Sequence, residues 1–224
     1  MLCCLDATLE LASAASGSRS LPIRDFFLGY RRVDLNPGEV IVTVRIPFTK
    51  SPYEFVHPYK QARRREDDIS IVTGGIRVLL APVDDMWKVE AADMAFGGMG
   101  PTTITARTAM ANLTGATWGG EAGDSQWLTG AFAGLSADMP LPPDVPGGQC
   151  EYRRALPMSF LFKFSVATSQ DLTATLAALP TAEASALPPP PLLVPAEASA
   201  SQNFVTAPKP ATRGEQKYTL GGGG

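Results

Sequence analysis

The chain has 224 residues, with 19 Lys and Arg against 22 Asp and Glu, a formal net charge of -3 at pH 7 and a pI near 5.2. That length suits one core-burying domain, or a domain with a tail. The acidic balance argues against nucleic acid as the main partner, because the one basic cluster, Arg63 to Arg65, runs directly into Glu66, Asp67 and Asp68.

The amino terminus lacks a basic region, and Asp6 and Glu10 interrupt any apolar segment, so it does not read as a signal peptide. No apolar run approaches the length of a membrane span. The three cysteines, Cys3, Cys4 and Cys150, form no disulfide or zinc pattern and cannot supply the four ligands of a [2Fe-2S] centre. A reduced compartment is expected, hence a soluble intracellular protein, placed in the cytoplasm with the peroxisome as the alternative. Residues 7–12 alternate weakly, and Gly17 turns the chain toward Leu21-Pro22-Ile23, which predicts a short hairpin.

Asn36-Pro37-Gly38 is turn chemistry, since proline presets one dihedral and glycine accepts positive φ. Residues 39–48 then alternate, predicting a strand with one buried face and Arg45 on the other. A second strand spans 53–61, with Phe55, His57 and Tyr59 on one side; Pro58 lacks an N–H and marks an edge. His57 is the sole histidine, which excludes sites built on several histidines and leaves a packing residue. Residues 69–81 predict a third strand with a bulge at Gly74-Gly75. Residues 88–96 predict a fourth that closes an antiparallel sheet. Gly97-Gly98-Met99-Gly100 lacks the Lys-Ser/Thr of a phosphate loop and reads as a tight turn.

Residues 105–113 have helical spacing, with Gly115 beyond their end. A second helix runs to Asp138 from a cap at Asp124 or Ser125, with Trp127, Leu128, Ala131, Phe132 and Leu135 on one stripe. A third covers 152 to about 172 and carries Phe160, Leu161, Phe164 and Val166 as a core stripe, with Pro157 in its first turn or marking its true start. From residue 173 onward Ala, Ser and Thr are mixed with Pro180, Pro188 to Pro191, Pro195, Pro208 and Pro210, a composition that predicts a disordered linker. The predicted class is therefore α+β: three to four antiparallel strands on about three helices, followed by a disordered Pro/Ala-rich tail.

The most informative stretch is Tyr59-Lys60-Gln61-Ala62-Arg63-Arg64-Arg65-Glu66-Asp67-Asp68-Ile69. Its charges cannot lie unpaired in a core, so it is either a self-neutralising solvated turn or the rim of a cleft. Lys60-Gln61-Ala62 followed by Arg64-Arg65-Glu66-Asp67-Asp68-Ile69 resembles the loop beside the flavin in the FAD domain of the xanthine dehydrogenase family of molybdenum-flavin hydroxylases. Four further stretches are similar to that family in the same order: Phe26 to Arg31, Phe96-Gly97-Gly98-Met99, Pro146-Gly147-Gly148, and Tyr152-Arg153-Arg154 with Ser159 to Phe164. The CO dehydrogenase flavoprotein C-terminal domain is similar as well.

The resemblance implies that residues 25–172 are the C-terminal subdomain of an FAD module, 1–24 the remnant of the preceding subdomain, and 173–224 a linker toward a molybdenum domain. It implies that Lys60 contacts FAD and that Ile41 packs on the flavin side. Arg64, Arg65 and Asp67 then set the potential around the ring and the approach of NAD. Arg63 stands where the family has a smaller polar residue, and the family's glycine-rich phosphate loop is missing. In the complete enzyme the implied partners are FAD, NAD, iron-sulfur and molybdenum domains and a second subunit; purines are hydroxylated at a molybdenum cofactor, and electrons pass through [2Fe-2S] centres to FAD and then NAD. No residue here is expected to perform the hydroxylation or to bind a metal. An aldehyde oxidase, or a cofactor-free interaction module, carries the same features.

Overall fold

In the computed structural model, which describes residues 1–64, 67–119 and 126–191, the strands divide between two main antiparallel sheets. The first is built from β1 (Thr8–Ser13), β2 (Gly17–Pro22) and a later strand, β5 (Val40–Arg45), in the order β2-β1-β5. Gly17, at φ 76°, closes the predicted hairpin. Between these lie the short helix α1 (Ile23–Phe26) and the paired segments β3 (Phe27–Gly29) and β4 (Arg32–Val33).

β5 corrects two expectations. It does not join the larger sheet; it pairs with β1, Leu9 opposite Val44 and Leu11 opposite Ile41. Nor does it bury a face, for none of its six residues is buried. As an edge strand it has one neighbour, and the inward side chains of this sheet, Leu9 and Leu11, come from β1. Because β5 belongs with the hairpin, the sheet runs across a division at residue 24.

The larger sheet has the order β6-β7-β8-β9, with β6 (Glu54–Ala62), β7 (Ser70–Val83), β8 (Met86–Gly97) and the short β9 (Ile104–Thr105). β6 is at an edge, which suits Pro58. The register passes through Gly74 and Gly75 without a break, and the irregularities fall at Gln61/Ala62 and Leu79/Leu80. Those glycines answer to packing instead. A Cβ on Gly74 would lie 3.1 Å from the Phe160 ring, and one on Gly75 would lie 2.8 Å from the Cys4 sulfur.

One face of this sheet buries Ile76, Val78, Leu80, Trp87, Val89, Met94 and Phe96 beneath the helices α2 (Arg107–Leu113), α3 (Thr129–Asp138, after a 3-10 turn at Gln126–Leu128) and α4 (Cys150–Ala177). The cap expected at Asp124 or Ser125 lies outside the described residues. On the other face the amino-terminal segment packs Cys3, Cys4 and Ala7 around Ala95. Asp6 clamps that segment, accepting from Arg24 and, at 3.0 Å, from Arg77, which also reaches Asp93 at 2.5 Å. Burial pushes the Cys4 thiol up to about 11, so it is an inert packing group.

α4 is longer than its sequence suggests. Gly147, Gly148 and Gln149 all have positive φ, and the helix starts directly after them at Cys150. Pro157 therefore lies inside the helix rather than in its first turn; it is buried there. The helix also continues past 172 to Ala177, and α5 (Thr181–Ala184) follows.

Candidate flavin-side loop

Tyr59 stacks on Phe160 of α4, with ring centroids 5.2 Å apart and planes 16° from parallel. His57 sets its ring edge-on to Phe164 and brings Nε2 to 2.8 Å from the Asp171 carboxylate. Strand alternation thus directs Lys60 to the opposite face, next to Thr73 and in line with Gly97. Lys60 is exposed there. Thr73 occupies the space over Gly97, since a Cβ on that glycine would come within 2.5 Å of the threonine hydroxyl.

Between β6 and β7 the described residues are 63–64 and 67–69, and Asp68 ties the two parts together. Its carboxylate accepts from the Arg64 N–H at 2.7 Å and from the Ile69 N–H at 2.9 Å. Asp67, at φ 48°, supplies the left-handed turn, and its carbonyl accepts from the Arg64 guanidinium at 3.1 Å. The backbone N–H of Arg64, opposed by desolvation and aided by the N–H groups of Ile69 and Arg63 and by the charge on Lys60, holds the Asp68 carboxyl below its ordinary range.

Beside this loop is a cavity of about 310 Å³ lined by Arg63, Ser70, Ile71, Gly98, Pro146, Gly147, Gln149 and Arg153. Arg153 is only 9% exposed. Its guanidinium donates to the carbonyls of Gly98, Pro146 and Gly148. It therefore fastens the β8–β9 turn to the start of α4.

The predicted site residues divide. Lys60, Arg64 and Asp67 are brought together at one end of the larger sheet, and Arg65 lies outside the described residues. Ile41 sits on the other sheet, 46% exposed on the edge strand. Arg63, the cation that departs from the resemblance, lines the cavity. Sequence reasoning overlooked the structural parts of Asp68 and Arg153. An Asp closing a charged turn is a readable signal; which of Arg153 and Arg154 turns inward is not. Among the described residues no group of three or more His, Cys, Asp or Glu could hold a metal, and no helix is long and apolar enough to cross a membrane.

The residues present fit one side of a flavin. Lys60 and the loop arginines offer charged donors suited to carbonyl or phosphate oxygens. On the adjacent strand face the small residues Thr73 and Gly97 stand opposite each other.

Comparison with known proteins identifies the family and the fold. Residues 57–168 match the CO dehydrogenase flavoprotein C-terminal domain, and residues 1–49 match the FAD binding domain in molybdopterin dehydrogenase. The chain is 38% identical over 166 residues to xanthine dehydrogenase of Oryza sativa, covering 74% of this chain and 12% of that protein. It is 40% identical over 168 residues to xanthine dehydrogenase of Dictyostelium discoideum, covering 71% and 12%. This chain thus spans about an eighth of the length of these relatives. Among solved structures, reconstituted CO dehydrogenase from Oligotropha carboxidovorans shares the fold, with a TM-score of 0.60 at 24% identity over 75% of this chain and 55% of the other.

Proposed function

This chain belongs to the CO dehydrogenase flavoprotein C-terminal domain family, and from that premise we propose that it forms the ring-side wall of an FAD site in a molybdenum-flavin hydroxylase like xanthine dehydrogenase. When bound, FAD supplies a two-electron relay between [2Fe-2S] centres and NAD. Lys60 presents an ammonium to a flavin carbonyl or phosphate oxygen. Arg64, Arg65 and Asp67 set the charge around that edge, cations favouring an electron-rich ring and the carboxylate opposing it. Asp68 holds the backbone N–H groups of Arg64 and Ile69 beside them. Ile41 offers an apolar contact from the edge of the smaller sheet.

The observation that carries the reading is that, within the family-like stretch from Lys60 to Ile69, the Asp68 carboxylate accepts from the Arg64 and Ile69 N–H groups at the end of β6. Purines as substrates, NAD as final acceptor and a second subunit belong to the same proposal and rest on the xanthine dehydrogenase relatives. The test is reconstitution of the purified chain with FAD followed by gel filtration. Yellow absorbance that travels with the protein supports the reading; a folded, colourless peak overturns it for this chain.

A further inference from the structure

Beyond residue 177 the chain does not leave the domain directly. Ala178 closes α4 by hydrogen bonding to Ala174, α5 makes one more turn, and the Leu187 N–H donates to the Ala184 carbonyl. Leu179 and Leu187 pack against the main core. Pro188 is buried, and its carbonyl accepts from the Trp87 indole at 3.0 Å. Trp87 is itself 1% exposed, with the Tyr53 ring 4.8 Å away and tilted by 60°.

A buried indole N–H requires an acceptor. Polyproline suits that need because its carbonyls have no partners within the segment and each proline has its φ already fixed, so little order is lost on docking. We propose that the Tyr53–Trp87 end of the larger sheet is a polyproline docking site, filled here by the chain's own Pro188–Pro191 segment. Trp87 is opposite Pro82 in β7, whereas the Lys60–Asp68 loop enters β7 at Ser70. Twelve residues of strand separate these points by about 40 Å. α4 spans a similar distance, about 42 Å. Docking therefore fixes the linker's departure at the end of the domain remote from the charged loop. The inference is independent of the flavin reading.

The full chain tests it. Trp87→Phe removes the indole N–H while retaining an aromatic ring. Glu-C cleavage after Glu183 should quicken about tenfold, the scale of one buried hydrogen bond, with an unchanged circular dichroism spectrum. A second variant, with Pro188 to Pro191 all changed to Gly, keeps Trp87 and should bind a labelled peptide of residues 185–191 in trans at least tenfold more tightly than the wild-type chain does. Equal cleavage rates for folded Trp87→Phe and wild type, or equal peptide binding by the glycine variant and wild type, would overturn the proposal.

Discussion

The Arg153 guanidinium, in the first turns of α4, donates through Nε to the Gly98 carbonyl 3.1 Å away, in the turn that follows β8. One side chain thereby joins the start of a 28-residue helix to the sheet end that carries the charged loop. Because the same group also satisfies Pro146 and Gly148, Arg153→Ala leaves these three carbonyls without their shared charged donor. The expected loss is about 2–4 kcal/mol. Arg153→Lys, a point charge without the planar fork, should recover only part of it. Urea unfolding of the three proteins measures both, and a loss under about 0.5 kcal/mol for Arg153→Ala would remove this anchor from the account.

The loop has its own fastening. Asp68→Ala removes the acceptor for the Arg64 and Ile69 amides, which should then exchange with deuterium much faster, while the β7 amides are unaffected. The folded carboxyl titrates below its unfolded value, so its contribution is complete above the unfolded pKa and is lost as pH falls through the lower folded one. Arg64 and Ile69 protection in wild type should fade in that acid window. In Asp68→Asn, which cannot titrate, it should not follow the same curve.

The two fastenings differ in how far the residues foretold them. Alternation in 53–61 and 69–81 was sufficient to place β6 and β7, and Phe160 and Phe164 declared the buried stripe of α4, because period and burial are local properties. β5 misled for the same reason: Val40, Val42, Val44 and Ile46 alternate as a half-buried strand does, yet no local pattern says which sheet a strand joins or whether a second neighbour covers it. Gly74 and Gly75 look like a bulge in sequence, whereas their cause lies in Phe160 and Cys4, far away along the chain. Within the candidate site, residue type and order brought Lys60, Arg64 and Asp67 together. The inward turn of Arg153 depends on the helix starting at Cys150, which three successive positive-φ residues decide.

Tyr59 provides an alkaline probe of the contact between β6 and α4. Burial, reinforced by the Asp171 carboxylate, pushes its phenol up to about 12. The folded state therefore holds the proton more tightly than the unfolded chain, whose tyrosines titrate near 10. The resulting stability is fully present below about pH 10 and is lost as pH rises toward 12. Tyr59→Phe should flatten the fall in urea midpoint between pH 9 and 11.5, and the wild-type absorbance titration at 295 nm should contain one late tyrosine that the variant lacks. Identical stability curves for the two proteins would show that this ring is not sealed against α4.

Lys60 decides whether the charged loop serves a cofactor or only itself. Its side chain is exposed on an edge strand, so Lys60→Ala should change folding stability by no more than about 0.5 kcal/mol. If Lys60 donates to FAD, the same substitution should weaken flavin retention by about 1–3 kcal/mol, the range for a hydrogen bond from a charged group. The contrast between these two readouts separates a direct contact from general damage, and Lys50→Ala, on the connection before β6, is the matched control for net charge. Arg64→Ala should act differently: Arg64 binds the Asp67 carbonyl, so its loss should raise exchange within the loop as well as lower flavin retention. Equal flavin retention by wild type, Lys60→Ala and Lys50→Ala, measured by equilibrium dialysis against FAD, would assign the loop's charges to self-neutralisation and move the cofactor-facing surface to the cavity bordered by Arg63 and Ser70.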